Sequence, residues 1–334
     1  MKLLIGTQQS PVASEVLARM AIVRPILMGL LTGIKQDVLD ELGGMGNMKL
    51  FMLPRAYRQG CGDVGFCFEW AIHDAIRRQD PMVMERLTDA SKRCNLNGSS
   101  FQSILFGVEK SGKTRIIDTA NELLTDDSRI LTGAQAQPPK LKTYMNMLAS
   151  SFHRPETRAS LPSSINGLWK ADLFFGATDT DRWLGTTLKI NAKQLEGAKG
   201  LRIGIVPATQ GASDKIHKDD SKNLIICPIP YDGSFMELFY TGWRIVQQFI
   251  SADAKLPAAV ELPAPADRQV AKELEMRRDF PIFDVVKALE AQSQTDLLTE
   301  TQREVDVFRL REGDNVLNDL LISPVASHTG DLKI

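Results

Sequence analysis

The chain has 334 residues, 43% hydrophobic and 24% charged, with a formal net charge of −1. This is ordinary globular composition; it argues against a disordered chain and supplies apolar mass for one large domain with additions, or for two domains. Four cysteines (Cys61, Cys67, Cys94 and Cys227) without a C-x-x-C pair argue against a disulfide framework or a sequence-local zinc site, and suit a reducing compartment.

Charge is unevenly spread. Residues 1–222 carry 29 Lys and Arg against 23 Asp and Glu, whereas residues 223–334 carry 11 against 18. A basic front and an acidic tail fit either a local nucleic-acid patch or ordinary surface scatter. The N-terminus lacks the long apolar region and small-residue cleavage site of a secretion signal, so a cytoplasmic location is expected. The most apolar stretch, residues 20–34, is interrupted by Arg24 and Pro25. It falls short of a membrane span and reads as two helices of a buried core.

Taken in order, residues 1–60 form an N-terminal helical portion ending in a strand-like run at 49–53. An α/β core is expected over residues 61–252. It opens with a helix at 63–78, capped by Asp63, followed by a short strand at 102–106 and helices at 114–124 and 140–152. The clearest strands follow at 169–176 and 182–190, then a short helix at 191–199 and strands at 201–206 and 223–229. An amphipathic helix at 233–252 closes the core. Residues 255–265 hold three prolines and read as a linker. Beyond it, residues 253–334 form a C-terminal appendage with helices at 267–278, 282–291 and 297–311 and a loose tail from Ser323. These acidic helices can pair two copies or dock a protein partner.

The segment Ala177-Thr178-Asp179-Thr180-Asp181 is polar and turn-rich, so the flanking strands form a hairpin. With Gly176 and Trp183 as the closing pair, Asp172 falls opposite Thr187, and Lys189 lies one same-face position further. Asp172 sits in an otherwise apolar strand, where an acid needs a partner or an ion. The bland reading is a cross-strand salt bridge. The functional one is phosphodiester hydrolysis: a carboxylate holds a divalent cation, and the lysine orients water or stabilises developing charge.

These residues resemble the PD-(D/E)XK nuclease superfamily, whose pattern is a helix bearing Glu, a strand starting with Asp, a partner strand reading acid-any-Lys, then a helix and another strand. The matching positions are Glu69, Asp172 and Thr187-Leu188-Lys189, followed by the segment with Gln194 and Glu196 and the strand at 201–206. The resemblance spans roughly residues 63–230. It implies a restriction-endonuclease-like mixed sheet flanked by helices, with N-terminal and C-terminal helical additions. It further implies Mg²⁺ as cofactor, DNA as partner, and a role in bacterial restriction or phage defence. Asp172, Glu69 and Glu196 would be the metal ligands, and Asp172, Lys189 and Glu69 the catalytic set. The motif acid is replaced by Thr187, a weak neutral ligand for Mg²⁺. A catalytically silent DNA-binding or assembly module is therefore a further reading.

A competing motif lies at residues 107–114. Gly107, Gly112, Lys113 and Thr114 match G-x-x-x-x-G-K-[ST], a phosphate cradle for ATP or GTP, with an apolar strand before it and a helix after. Against it, no candidate strand ends in the Asp that would hold the metal, and the best strands form a tight hairpin rather than parallel crossovers. Lys110, Lys140 and Lys142 are candidate contacts to a DNA backbone, as are Arg77-Arg78 and the lysines of 215–222. His73, His153, His217 and His328 lie too far apart for a local metal motif.

Overall fold

The computed structural model describes the chain outside residues 1, 8–10, 35, 57–62, 107–121, 134–136, 144, 146–155, 157–158, 160–169, 210, 212, 232–234, 253–261, 294–305, 313–314 and 323–334. Strand β1 (Lys2–Thr7) opens it, followed by α1 (Pro11–Thr32), α2 (Gln36–Glu41) and a single turn, α3 (Leu53–Ala56). Helices α4 (Asp63–Arg77) and α5 (Pro81–Arg93) come next. Strands β2 (Phe101–Leu105), β3 (Arg129–Leu131), β4 (Leu173–Ala177), β5 (Arg182–Leu188), β6 (Arg202–Pro207), β7 (His217–Asp219) and β8 (Leu224–Ile229) follow. Helices α6 (Phe235–Ser251), α7 (Pro265–Met276) and α8 (Ile282–Ser293) and strands β9 (Asp306–Glu312) and β10 (Asn315–Ile322) complete the order.

Helix α1 explains how the two ends of the sequence come together. It is one continuous helix, not the two segments expected around Pro25. An interior proline costs about 3 kcal/mol through a lost hydrogen bond and a clash with the preceding turn. The helix runs on because α4, α6, α7 and α8 all pack against it. Val23, Ile26, Leu27, Leu30 and Leu31 are fully buried, and each such side chain contributes about 1.5–3 kcal/mol. A helix apolar on every side is the signature of that central position. Two glycines permit the close approach: a Cβ at Gly29 would lie 2.5 Å from the Cys67 Cα of α4, and one at Gly242 of α6 would lie 2.7 Å from the Ile22 side chain.

Arg24, in the middle of α1, is buried and pairs with the buried Asp74 of α4; its second arm lies 3.3 Å from Glu290 of α8. Arg78 binds the other oxygen of Asp74 at 2.7 Å, and Arg77 reaches Glu290 at 2.6 Å. One apolar cluster joins residues of α1, α4, α6, α7, α8 and the main sheet.

That sheet has seven strands in the order β2-β4-β5-β6-β8-β7, with β3 also paired to β5. The molecule is thus an α/β protein with a mixed sheet flanked by helices, and with helices towards both ends of the chain. Strands β2, β4 and β5 run antiparallel, whereas β5, β6 and β8 run parallel. The hairpin expectation therefore holds beside a parallel half that the hairpin alone did not suggest. Strand β3 pairs parallel with Arg182–Leu184 and β6 with Gly185–Leu188, so the two share one edge of β5 end to end. Alternation sends Leu173, Phe175, Leu184, Leu188, Ile203 and Ile205 to the helix-covered face. Phe174, Trp183, Arg202 and Thr187 take the other.

Lys2–Thr7 is a strand within the portion expected to be helical, and three further expected elements differ. Residues 49–53 are not a strand: Leu50–Met52 form a 3-10 turn held by Leu50 N donating to Phe280 O at 3.0 Å, so this run docks on the α7–α8 turn. The helix expected at 191–199 shrinks to one 3-10 turn, Ala192–Gln194, because Leu195 turns inward to pack on Val206 and Leu224. The helix expected at 297–311 is corrected over its described part: Asp306–Glu312 is a strand between β1 and β10. Pairing of this segment with β1 on one side and β10 on the other overrides its helical spacing. The linker and the helices expected at 114–124 and 140–152 lie largely outside the described residues, as does the tail from Ser323.

The close crossing of α1 and α4 gives a direct test. Gly29→Ala should lower stability by about 1–3 kcal/mol, because backbone cannot yield to the added methyl. Gly65→Ala in α4, with nothing within 4 Å of the new carbon, should instead raise stability by about 0.5–1 kcal/mol. Thermal or denaturant unfolding of the two variants reads both signs.

Candidate functional site

The observed register pairs Gly176 with Trp183 and Leu173 with Thr186, as the sequence predicted; at the strand end Asp172 N donates to Thr186 O at 2.8 Å, and the Asp172 side chain meets Thr187. The ring of Trp183 lies over Gly176, where a Cβ would come within 2.4 Å of it, and this cross-strand fit locks the pairing. Register then delivers the site. Asp172, only 4% exposed, turns one carboxylate oxygen to three donors. Oδ2 accepts from Leu188 N at 2.8 Å, Thr187 Oγ1 at 3.1 Å and Lys189 Nζ at 3.2 Å. Lys189 keeps 32% of its side chain exposed, so the pair opens to solvent on the lysine side. Thr187, where the motif would carry an acid, acts as a donor that orients Asp172.

Arg202 of β6 joins this face, a residue that the sequence reading passed over. It pairs across to Gly185, beside Thr187 and its partner Gly204. Its side chain is 1% exposed, and Nη2 donates to Glu196 O at 2.8 Å. Its Nε has no hydrogen-bond partner among the described residues. Burial pulls the guanidinium pKa below its ordinary value, against the opposing pull of Asp172 and Glu196. The signal was the one that marked Asp172: a charge inside an apolar strand.

The other predicted acids are placed differently. Glu196 is 69% exposed and forms an ion pair with Lys170. The Lys170 hydrogen bond, and more weakly the field of Lys189, lower its carboxyl pKa. Glu69 is buried on the stripe of α4 that carries His73. His73 Nδ1 lies 2.8 Å from Ser103 Oγ, and Gln79 donates to Phe101 O at 3.1 Å. Helix α4 therefore runs antiparallel to β2, and Glu69, one turn before His73, is level with Leu105. That is the sheet end where Phe106 N donates to Asp172 O at 2.8 Å, but α4 covers the face opposite the Asp172 side chain. Among the described residues no group of three or more His, Cys, Asp or Glu side chains is placed to hold a metal ion. Among the described residues Asp172 is met by Thr187 and Lys189, whereas Glu69 stands on α4 and Glu196 pairs with Lys170.

Of the other candidates, Gly107, Lys110, Gly112, Lys113 and Thr114 lie outside the described residues. Lys142 sits 3.1 Å from Asp126 and Lys140 4.0 Å from Asp127, so both are matched by exposed acids. Arg77 and Arg78 serve the Asp74 and Glu290 network, and Lys218 and Lys222 pair with Asp220 and Asp219. No helix is long and apolar enough to cross a membrane among the described residues.

Comparison with protein-family models, curated proteins and solved structures gave no match.

Thr187→Val should cost about 1–2 kcal/mol, because the buried Asp172 oxygen loses a donor that valine cannot replace; chemical denaturation beside the wild type measures it. His73 offers a pH test. Burial pushes its pKa down from 6.5 to about 4, so its stabilising share is complete above pH 6.5 and lost as pH falls towards 4. His73→Gln keeps a partner for Ser103 without titrating. The stability difference between wild type and this variant should shrink on going from pH 7 to pH 4, read as the gap between their melting temperatures.

Proposed function

We propose that this protein is a Mg²⁺-dependent nuclease that hydrolyses phosphodiester bonds in DNA. The observation that carries the proposal is the contact of Lys189 Nζ with Asp172 Oδ2 at 3.2 Å, held on one face by a tight hairpin and open on the lysine side. The order of elements supports it: helix α4 with Glu69, then the β4–β5 hairpin with Asp172 and Lys189, then β6 parallel to β5. That is the order of the PD-(D/E)XK pattern, with the helix before the last strand reduced to one 3-10 turn.

The donor set suits Mg²⁺, which is held by one or two carboxylates together with water and substrate phosphate. Asp172 would supply the first carboxylate and Glu196 the second, once it leaves Lys170. A bound ion would polarise the phosphate and lower the pKa of its water. The chain's own residues do the rest. Thr187 and the Leu188 amide fix the direction of the Asp172 carboxylate. Lys189 donates to the attacking water or to the phosphate oxygen on which charge develops. Lys170, released from Glu196, adds a second cation facing the DNA backbone.

One observation favours a second reading, a module that binds DNA without cutting it. Lys170 and Lys189 are both partly exposed here, and cations so placed can bind DNA phosphate without a metal. Supercoiled plasmid incubated with Mg²⁺ separates the two. Cleavage that EDTA stops, and that falls by about 100-fold or more in Asp172→Ala and Lys189→Ala, supports the nuclease. DNA retention that weakens steeply with salt, with the plasmid left intact, overturns cleavage in favour of binding.

A further inference from the structure

Arg202 is a costly residue for the position it holds. A buried guanidinium loses its hydration and needs acceptors for its donors, yet Nη2 finds one backbone oxygen and Nε finds no partner among the described residues. A methionine of similar length would fill the same space beside Gly185 without that cost. Apart from the field of the buried Asp172 carboxylate, stability gives little reason for an arginine here. What the side chain does is local: it crosses from β6 and fastens the main chain at Glu196, one residue after Leu195 is buried against Val206 and Leu224.

Side chain and main chain of Glu196 thus have different fates. Its backbone oxygen is pinned by Arg202, whereas its carboxylate is exposed and, among the described residues, held at its tip by the ion pair with Lys170. Exposed pairs of this kind are weak and exchange readily. Pinning the backbone fixes where the carboxylate can swing, and its present partner Lys170 stands two residues before Asp172 in the chain. We propose that Arg202 is a positioning residue that presents Glu196 to the Asp172–Lys189 pair, so that Glu196 can exchange Lys170 for a divalent cation shared with Asp172. This rests on the metal-dependent reading of the site.

The sign of the effect makes it testable apart from activity. By charge alone, removing Arg202 takes a cation away from the site and should strengthen binding of a divalent ion. By positioning, removing it should weaken that binding, typically by about 10- to 100-fold for a residue that orients a ligand. Mn²⁺ titrated into the DNA-free protein, followed by loss of the free-ion electron paramagnetic resonance signal with Mg²⁺ competing, reads the affinity. Arg202→Met and Glu196→Gln should each weaken Mn²⁺ binding by about tenfold or more, and the double variant should bind no more weakly than the weaker single variant. Should Arg202→Met fail to fold by thermal melting, Arg202→Gln carries the same cycle. Unchanged or tighter binding in the Arg202 variant, or losses that add in the double variant, overturns the positioning role while leaving the nuclease reading standing. Wild-type protein that takes up no Mn²⁺ overturns both.

Discussion

A carboxylate buried inside a sheet has to be met by donors, and at Asp172 the donors come from the strand next door. The Leu188 amide, the Thr187 hydroxyl and the Lys189 ammonium all converge on one oxygen. Because they sit on consecutive residues at the end of β5 and just past it, a shift of register by one residue would withdraw the side-chain donors and strand a charge in an apolar layer. The acid therefore enforces the same pairing that the Trp183 ring enforces over Gly176. Hairpin register, sheet order beyond it and the juxtaposition of acid and amine form one constraint seen at three scales.

The helical half solves a different problem. α1 is surrounded on all sides, so its polar residue Arg24 must be neutralised from within, and Asp74 and Glu290 reach it from two other helices. Breaking one arm of this network would leave an unmatched buried charge, which is far more damaging than losing an exposed pair. The network also joins the first helix to the last, while the apolar cluster carries the connection through to the sheet. The rigid floor under the Asp172 strand is thus built from parts of the chain far apart in sequence.

Much of the sheet was legible from local signals. The hairpin could be read because strand alternation has a period of two and its connection is short and polar, and the amphipathic helices could be read from their spacing. Pro25 misled because an interior proline normally ends a helix, and only packing from four neighbours overrides it. The segment after Lys189 was expected to be helical, yet the burial of Leu195 against residues of β6 and β8 decides its shape, and that contact is invisible locally. The candidate acids divide along the same line. Asp172 and Lys189 were legible because register is local. Glu69 lies across the sheet and Glu196 on a loop fastened by Arg202, so their placement depends on tertiary contacts that spacing does not encode.

The divided edge of β5 carries a consequence of its own. β3 lies along the first part of that edge and β6 along the second, and where they meet Leu201 N donates to Thr132 O at 2.8 Å. β6 cannot start earlier without displacing β3, so the length of that three-residue strand measures out where β6 begins. Arg202 is the first residue past the junction. A segment remote from the acid and the amine in sequence therefore acts as a ruler, setting to the nearest residue how far along the sheet the buried guanidinium stands.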